Sequence, residues 1–556
     1  MSERVRIGTL VATALLVYGN ALFNGFTYDD FPYVLNNPSV TNPSLRGFFV
    51  ATRGSNVFRP VTFGTYALNW LIGNIHALGY HLLNVLLHAT VSLLLYLVLR
   101  RLLERLPQAE AISFVAALLF AVHPIHSEAV TSIAGRPELL AAAFLFWAWL
   151  LHLQDRPMAA VCCFVLALLS KESAAVFVPL LVAGDYVRGK WKPLSRYAWA
   201  LGLSLVFVGV LWKVQGGRFG EISTHFLDNP LITLPPFWRI LNALRVAWKY
   251  VGLQIYPATL SCEYSYNAIL TYTDWRHTLP AAVAALLAVV SWIWVMWTRR
   301  AGWALAGAIY FAGFAITANI LMPIGTIMGE RLAYLPSAGI CLLAALLWIK
   351  LADHRAELAW LMLVLVLAAL GTRTVVRNRD WKTNFTLFSA ALRAVPGSAR
   401  AHSNMGTQYM DQGKTELARQ EFQIALGIYP DLPDALEFLG LIEAREGHNS
   451  EGLALLQHAL AVTRRESLRY VDRAVNLAAM LVKMGRDDQA LKLLNEAIQE
   501  SPGYARAWSN RAVIQYRRGE ASLAASDAQT ALSLDPYNSQ ARSLLTALNS
   551  GSESHP

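Results

Sequence analysis

The sequence predicts an all-α protein in which a multi-span membrane domain is followed by an α-helical solenoid. Hydrophobic residues make up 55% of the 556 residues and charged residues only 15%, whereas charged residues average about 25% of soluble proteins. The long apolar runs end near Gly371, and the remainder is charged and alanine-rich. Within that remainder, small residues recur every 34 residues, which is typical of a helical repeat. We therefore predict a membrane domain over residues 1–375 and a repeat domain over 380–545.

Charge and cysteine content exclude several classes of protein. The formal net charge is +10, but the basic residues lie scattered in loops, with neither a basic run nor a nucleic-acid motif. We attribute this charge to membrane topology. The four cysteines lack metal-ligand spacing and predict no disulfide framework. The first apolar run follows Arg4 and Arg6 and has no small-residue cleavage site, so we interpret it as an uncleaved first span.

Eleven apolar windows predict membrane-spanning helices. Several are shorter than the ~20 residues that a straight crossing needs, and the fifth and sixth could instead form a hairpin that does not cross fully. The predicted spans are residues 7–23, 78–99, 109–122, 138–153, 158–170, 174–187, 197–214, 277–298, 302–320, 333–350 and 357–372.

The lysine and arginine distribution predicts the orientation of these spans. Short basic loops alternate with longer mixed loops, and basic loops face the cytoplasm. The N-terminus is therefore predicted to be cytoplasmic, and an odd number of spans places the repeat domain outside, in the periplasm of a bacterium or the ER lumen of a eukaryote. Two external loops are long, 24–80 and 215–276. The second contains an amphipathic stretch, 237–256, which suggests an interfacial helix.

The C-terminal period matches the tetratricopeptide repeat. Gly406, Ala418, Ala425 and Pro430 occupy its signature positions, and the pattern returns in three further units, with a four-residue slip before the third. A leading partial repeat is predicted at 381–398 and precedes these four. The residues from 546 to 556 are predicted to be a disordered tail.

Two adjacent carboxylates follow the first span, in the stretch Asn24–Phe31. Carboxylates at the edge of the hydrocarbon are costly to ionise and usually functional, although a solvated turn that caps the next helix is the alternative. An acceptor hydroxyl needs a base, which a carboxylate within hydrogen-bond reach supplies. We assign Asp29 as the general base and Asp30 as the partner that orients it or the donor, and the order could be reversed.

Cations at the outer ends of later spans are candidates to bind a lipid phosphate, because arginine donates in pairs and lysine supplies a point charge. Arg331 is the first choice, followed by Arg136, Lys171 and Arg59. The alternative for Lys171 and Arg331 is a local pair with the adjacent glutamate.

Acids and histidines beside these cations are assigned supporting roles. A proline between the two histidines and the lack of a third close ligand favour helix capping over a metal site, so no metal ligand is assigned and a divalent metal has no support. The supporting residues are His123, His126, Glu128, Glu172 and Glu330.

Several of these stretches, taken in order, resemble one family over nearly the whole chain. They are Tyr28-Asp-Asp30, the His-Pro-Ile-His-Ser-Glu-Ala-Val stretch from His123 with its following Gly-Arg, Ser170-Lys-Glu172, Leu260 to Tyr266, Glu330 to Pro336 and the repeats. Together they are similar to the transmembrane-and-tetratricopeptide O-mannosyltransferases.

The resemblance implies a GT-C-type glycosyltransferase that transfers mannose from a polyprenyl- or dolichyl-phosphate carrier to Ser or Thr hydroxyls outside the cytosol. The family's paired-acid motif carries over to Asp29 and Asp30. The lipid-phosphate sugar is then a co-substrate, and direct displacement by the hydroxyl would invert the anomeric centre, by analogy with inverting glycosidases. This chain has about four full repeats, fewer than many relatives, which leaves the acceptor open.

The repeat domain is expected to bind the acceptor polypeptide in its concave groove. Asn404, Asn476 and Asn510 share one repeat position, where amides can donate to and accept from a peptide backbone. The alternative is that they cap or pack locally. Two other functions stay open: a non-catalytic membrane scaffold that recruits partners, and a GT-C enzyme that acts on a glycan or lipid.

Overall fold

The computed structural model describes residues 1–49, 57–214, 225–465, 467 and 469–552. Within these ranges every regular element is helical and no strand occurs, which confirms the predicted fold class. The chain divides into two compact units, Met1–Ser398 and Ala399–Pro556. Parts of the predicted long loops and the last four residues of the predicted tail lie outside the described residues.

Helices of the first unit often begin at proline, whose fixed φ suits the first turn. Short 3₁₀ or π turns connect several of them, at Gly19–Phe23, Phe31–Leu35, Pro124–His126, Ile133–Gly135, Glu172–Val176, Pro230–Thr233 and Glu330–Ala333. The α-helices are α1 Glu3–Tyr18, α2 Pro38–Thr41, α3 Leu45–Phe48, α4 Pro60–Gly73, α5 Ala77–Leu102, α6 Ala109–Val122, α7 Ser127–Thr131, α8 Arg136–Leu153, α9 Pro157–Ser170, α10 Phe177–Arg188, α11 Ser195–Val214, α12 Pro236–Ile255, α13 Trp275–Trp297, α14 Ala301–Phe314, α15 Ser337–His354, α16 Ala356–Asp380 and α17 Asn384–Ala394.

Length and composition make this a multi-pass membrane protein. Among the described residues, seven helices are long and apolar enough to cross a membrane, and the bent pair Ala109–Val122 and Pro124–Thr131 would be an eighth. Helices α9 and α14 are apolar but have 14 residues each, which is about 21 Å at 1.5 Å per residue, less than the ~30 Å hydrocarbon core. All eleven predicted windows overlap helices, although the window 302–320 runs past the end of α14 at Phe314. The number of membrane crossings stays a prediction.

One glycine sets the turn that leads into the functional region. A Cβ on Gly135 would collide with the backbone carbonyl of Ala129 in α7. The glycine therefore lets the start of α8 pack directly on α7, which brings the acids and cations at the ends of these helices together.

The second unit consists of four helix pairs and a final helix, at the positions predicted for the four repeats. Small residues allow close packing, as at Gly406, where a Cβ would lie 2.6 Å from the ring of Phe422. The helices are α18 Ala399–Asp411, α19 Thr415–Ile428, α20 Pro433–Glu446, α21 Asn449–Ala461, α22 Tyr470–Lys483, α23 Asp487–Glu500, α24 Ala505–Arg517, α25 Ala521–Leu534 and α26 Ser539–Ser552.

Helix α17, expected as the second helix of a partial repeat, lies at the end of the first unit, and its place in the repeat array stays a prediction. One predicted boundary needs correction. The predicted disordered tail begins too early, because α26 continues to Ser552. Leu544, Leu545 and Leu548 of that helix pack against alanines of α25, and this contact explains the added order.

Candidate functional site

The two acids of the first loop point in different directions. Tyr28 has a φ of 47°, in the left-handed region that side chains other than glycine seldom adopt. The chain turns there, so that Asp29 lines a cavity and is 26% exposed, whereas Asp30 is fully buried. The pair therefore does not act as two carboxylates side by side.

Asp30 is occupied by hydrogen bonds within the protein. One carboxylate oxygen accepts from the backbone N–H of Ala134 at 2.7 Å and from the Ser132 hydroxyl at 3.3 Å. The other accepts from the backbone N–H of Thr27 at 2.9 Å. Burial raises the pKa of Asp30 to about 7, against the effect of these backbone donors. Asp30 thus ties its own loop to the turn before α8 and does not reach the cavity.

The cavity of about 290 Å³ gathers residues from distant parts of the first unit. Its walls come from the first loop, the start of α4, and the turn before α8 together with the first residues of α8. The connection after α9 and the connection between α14 and α15 complete them. Charged residues from these parts line it: Asp29, Arg59, Glu138, Lys171, Glu172 and Arg331.

Arg331 is the cation nearest to Asp29. Its Nη1 donates to Asp29 at 3.3 Å and to Glu128 at 2.7 Å, and its backbone N–H donates to the second Glu128 oxygen at 3.0 Å. Burial lowers the pKa of Arg331, but the carboxylates of Glu128 and Asp29 outweigh it and raise the pKa overall. The guanidinium is therefore held in place and stays charged.

The alternative of a local pair between Arg331 and Glu330 is wrong. Glu330 is fully buried, accepts from the Tyr264 hydroxyl at 2.7 Å and lies 3.7 Å from Arg377. Glu330 and Arg331 are adjacent on this 3₁₀ turn, but they belong to different networks. Arg331 lines the cavity, whereas Glu330 bonds to Tyr264 and lies near Arg377.

Two further ion pairs line the cavity. Arg59 donates Nε and Nη2 to Glu172 at 3.1 and 2.7 Å, a bidentate geometry. Lys171 forms an ion pair with Glu138, and burial lowers the pKa of Lys171 well below its ordinary value. Lys171 and Glu172 thus bind different partners, and the alternative of a local pair between them is wrong.

Arg136 does not line the cavity. It is fully buried and donates to the side chains of Asn84 at 2.8 Å and Asn69 at 2.7 Å, with its guanidinium 4.6 Å from the centre of the Tyr66 ring. These contacts join the start of α8 to α4 and α5. The prediction that Arg136 binds a phosphate has no geometric support.

The two histidines are buried and engaged. His123 accepts the backbone N–H of Ile125 through Nδ1 at 3.1 Å, as a helix cap does, and its Nε2 lies 2.8 Å from the carbonyl of Gln254. His126 Nε2 lies 2.7 Å from the Ser337 hydroxyl. Among the described residues, the side chains close enough to hold a metal together are Glu443, Glu446 and His448, in the repeat unit.

Sequence reasoning missed three residues of the cavity. Glu138 holds Lys171, Tyr33 lines the wall beside Asp29, and Thr317 presents a buried hydroxyl without a partner in the described part of the chain. Glu138 stood in a polar stretch that the sequence had marked. Tyr33 and Thr317 carried no signal, because their place depends on how distant segments meet.

The asparagines of the repeat unit differ in their surroundings. Asn476 donates to Glu437 at 2.7 Å and accepts from Arg506 at 2.9 Å, which links α20, α22 and α24. The amide nitrogen of Asn404 is buried without a partner, and the Asn510 side chain makes no hydrogen bond within the described residues. The row is therefore not uniform: its middle member is already satisfied internally.

Comparison with known proteins gives three kinds of match. A tetratricopeptide repeat family model matches residues 377–433, 403–466 and 476–539, which supports the repeat assignment. A protein O-mannosyl-transferase of Caenorhabditis elegans is 31% identical and covers 76% of this chain and 62% of its own length. The protein O-mannosyl-transferases TMTC3 of Mus musculus and Homo sapiens are 28% and 27% identical, covering 95% and 96% of this chain and 64% of each relative.

These relatives confirm the resemblance predicted from the sequence, and the chain spans less than two thirds of their length.

Solved structures match more distantly. The crystal structure of MamA is 21% identical with a TM-score of 0.24, covering 27% of this chain and 86% of that one. The Cut9–Hcn1 hetero-tetramer is 14% identical with a TM-score of 0.28, covering 81% and 98%. Such low scores carry no argument about function.

Proposed function

We propose that this chain, a relative of the protein O-mannosyl-transferases, is a membrane glycosyltransferase of the GT-C type. It would transfer a sugar, mannose by analogy with its relatives, from a polyprenyl- or dolichyl-phosphate carrier to Ser or Thr hydroxyls of proteins on the non-cytosolic face. The observation that carries the proposal is the cavity in which a partly exposed carboxylate, Asp29, lies beside Arg331.

The cations of the cavity suit the phosphate of the donor. Arg331 uses only Nη1 and its backbone N–H for the bonds described here, so Nε and Nη2 are available to phosphate oxygens. Arg59 likewise keeps Nη1, beyond its two bonds to Glu172. Lys171 lies beside them and is paired with Glu138. The carboxylates that hold these cations orient them before the donor binds, which reduces the entropy lost on binding.

The proposed reaction is a single displacement. The acceptor oxygen attacks the anomeric carbon, its proton passes to Asp29, and the bond from that carbon to the phosphate oxygen breaks with both electrons leaving on the phosphate. One oxygen of Asp29 accepts from Arg331, whereas the other has no hydrogen bond among the described residues and can take the proton. Attack opposite the leaving phosphate inverts the anomeric centre. The cations stabilise the charge that develops on the phosphate.

The acceptor is proposed to be a polypeptide held by the repeat unit, since concave repeat surfaces commonly bind extended chains. The donor is the only co-substrate in this proposal, and no metal ligands are assigned. The N-terminus is placed in the cytoplasm and the repeats outside.

The test is transfer of labelled mannose from a synthetic polyprenyl-phosphate donor in membranes that contain the full chain. The expected result is label on Ser or Thr residues of a protein. Base-catalysed elimination should release that label. Label on lipid or glycan alone would contradict the proposed acceptor. No transfer from mannosyl, glucosyl or N-acetylglucosaminyl donors would favour the non-catalytic scaffold.

A further inference from the structure

The backbone beside Asp29 is held in an unusual conformation by the corner between α16 and α17. The positive φ of Tyr28 turns Asp29 toward the cavity and Asp30 away from it. A tyrosine persists in such a conformation only when its surroundings enforce it. The contacts that enforce it therefore control the direction of Asp29.

One of those contacts comes from a side chain. The Oδ1 of Asn384, the first residue of α17, accepts the backbone N–H of Tyr28 at 2.8 Å. The same corner accepts two more bonds from the loop: Gly25 N–H donates to the Lys382 carbonyl at 3.1 Å, and the Asn24 amide donates to the Asn378 carbonyl at 2.9 Å. Asn384 is the member of this set that bonds to Tyr28 itself, so its substitution tests this bond without removing the other two.

The Tyr28 side chain is fixed by the same region. Its hydroxyl donates to Glu263 at 2.8 Å, and its ring lies edge-on to Phe388 of α17, with centroids 5.5 Å apart. Backbone and side chain of Tyr28 are thus both held, and the adjacent Asp29 has little freedom left.

We propose that Asn384 is a positioning residue for Asp29, acting through the backbone N–H of Tyr28. This inference rests on the proposed function, in which Asp29 takes the proton of the acceptor. Loss of the Asn384 oxygen weakens the hold on the left-handed conformation of Tyr28, and the Asp29 carboxylate can then shift from its place beside Arg331. Donor binding by Arg59 and Lys171 does not depend on this contact.

The variants separate this role from general damage to α17. Asn384→Ala removes the acceptor oxygen, whereas Asn384→Asp keeps an oxygen at the same place and puts a negative charge at a helix N-terminus, which is favourable. Thr383→Ala is the matched control, because Thr383 caps α17 through Thr386 and has no described bond to Tyr28.

In the transfer assay, Asn384→Ala should lower kcat by about 10- to 10²-fold, the usual effect of displacing a reacting group by about 1 Å. The donor KM should stay near the parent value. Asn384→Asp and Thr383→Ala should retain most of the parent kcat. A parent-like kcat in Asn384→Ala, or an equal loss in Thr383→Ala, would overturn the proposal.

A second measurement does not need transferase activity. A water-soluble carbodiimide modifies accessible carboxyl groups, and mass spectrometry reports the modified fraction of Asp29. Asn384→Ala should change the labelling rate of Asp29 several-fold, while Asn384→Asp and Thr383→Ala should match the parent. Unchanged labelling would refute the positioning role. Changed labelling in a chain that transfers no sugar would keep that role and contradict the proposed function instead.

Discussion

At the scale of single residues, Asp29 and Asp30 should respond differently to the same substitution. Asp29→Asn removes a base while preserving size, and loss of a positioned base costs about 10²- to 10⁴-fold in rate. The Asp29 side chain is partly exposed and has one described hydrogen bond, so its variant should fold normally. Sugar transfer by purified protein, with the melting temperature as control, measures both effects. Parent-like activity in Asp29→Asn would remove the catalytic assignment.

Asp30→Asn should instead reduce stability. Both Asp30 oxygens accept from backbone N–H groups, of Ala134 and Thr27, and an amide would turn its NH₂ against one of these donors. A buried group left without its partner costs about 1–3 kcal/mol. We therefore expect a lower melting temperature and less folded protein for Asp30→Asn than for Asp29→Asn. An Asp30→Asn variant that melts like the parent would contradict this division of roles.

Arg331 should be sensitive even to a change that keeps its charge. Arg331→Lys loses the planar guanidinium, whose Nη1 donates to Asp29 and Glu128 and whose Nε and Nη2 are proposed to bind the donor phosphate. A lost charge-assisted hydrogen bond is worth about 1.5–3 kcal/mol, or roughly 10- to 10²-fold in donor affinity. Donor titrations should therefore show weaker binding in both Arg331→Lys and Arg331→Ala. Unchanged donor affinity and kcat in Arg331→Ala would mean that the phosphate binds elsewhere.

The sequence indicated which residue types belong to the site, but not which way they point. Asp29, Arg59, Lys171 and Arg331 were all recognised from local polar stretches beside apolar runs, and they line one cavity. Arg136 had the same local appearance and is buried between helices. The difference lies in Asn69 and Asn84, which receive its hydrogen bonds and are distant in the chain. Local sequence does not contain such pairings.

At the scale of elements, Arg136 should act on the assembly of helices. It joins the first turn of α8 to Asn69 of α4 and Asn84 of α5 in a buried setting. Its removal leaves the acceptor oxygens of Asn84 and Asn69 without this donor, and a buried group that loses its partner costs about 1–3 kcal/mol. Arg136→Ala should therefore lower the yield of folded protein and the melting temperature. A well-folded Arg136→Ala variant with weakened donor binding would instead indicate that Arg136 binds the donor phosphate.

The repeat helices make a second prediction at this scale. Asn476→Ala breaks the bonds to Glu437 and Arg506 and should destabilise the repeat unit by about 1–3 kcal/mol. The double variant Asn404→Ala with Asn510→Ala removes amides without described hydrogen bonds and should leave stability near the parent value while weakening use of a protein acceptor. Thermal melts and acceptor KM values distinguish these effects. Parent-like acceptor use in the stable double variant would contradict the proposed groove.

Element lengths alone do not fix how often the chain crosses the membrane, but contacts constrain it. Asp29 and Glu128 both bind Arg331 and so lie at one face. If α5 crosses between them, as its length allows, α6 with its bent continuation would return the chain. Lys171 at the end of α9 pairs with Glu138 at the start of α8, so these two helix ends also lie at one face. If α8 crosses the membrane, α9 would therefore return the chain. Short spans can be accommodated by thinning of the bilayer.

At the scale of the whole molecule, the contacts relate the end of the membrane unit to its beginning. Gly25 N–H donates to the carbonyl of Lys382, which follows α16. The chain therefore leaves α16 at the face that carries Asp29, whatever the number of crossings between them. Since α1 is itself long enough to cross, we infer that the N-terminus lies at the opposite face. The side of the membrane on which Met1 lies then determines the side on which Asp29 lies.

Arg4 and Arg6 lie near the start of α1, and Arg100 and Arg101 lie in the last turn of α5, at that opposite face. Short basic segments are retained in the cytoplasm. We therefore predict that Asp29 and the repeats are external. Protease added to sealed right-side-out vesicles should remove the repeats, which follow Ser398, while a tag before Glu3 should be cleaved only after detergent is added. Protection of the repeats together with cleavage of the tag would reverse the orientation. A lipid-linked donor displayed on the non-cytosolic face could then not reach Asp29, and the proposed activity would fail together with the topology.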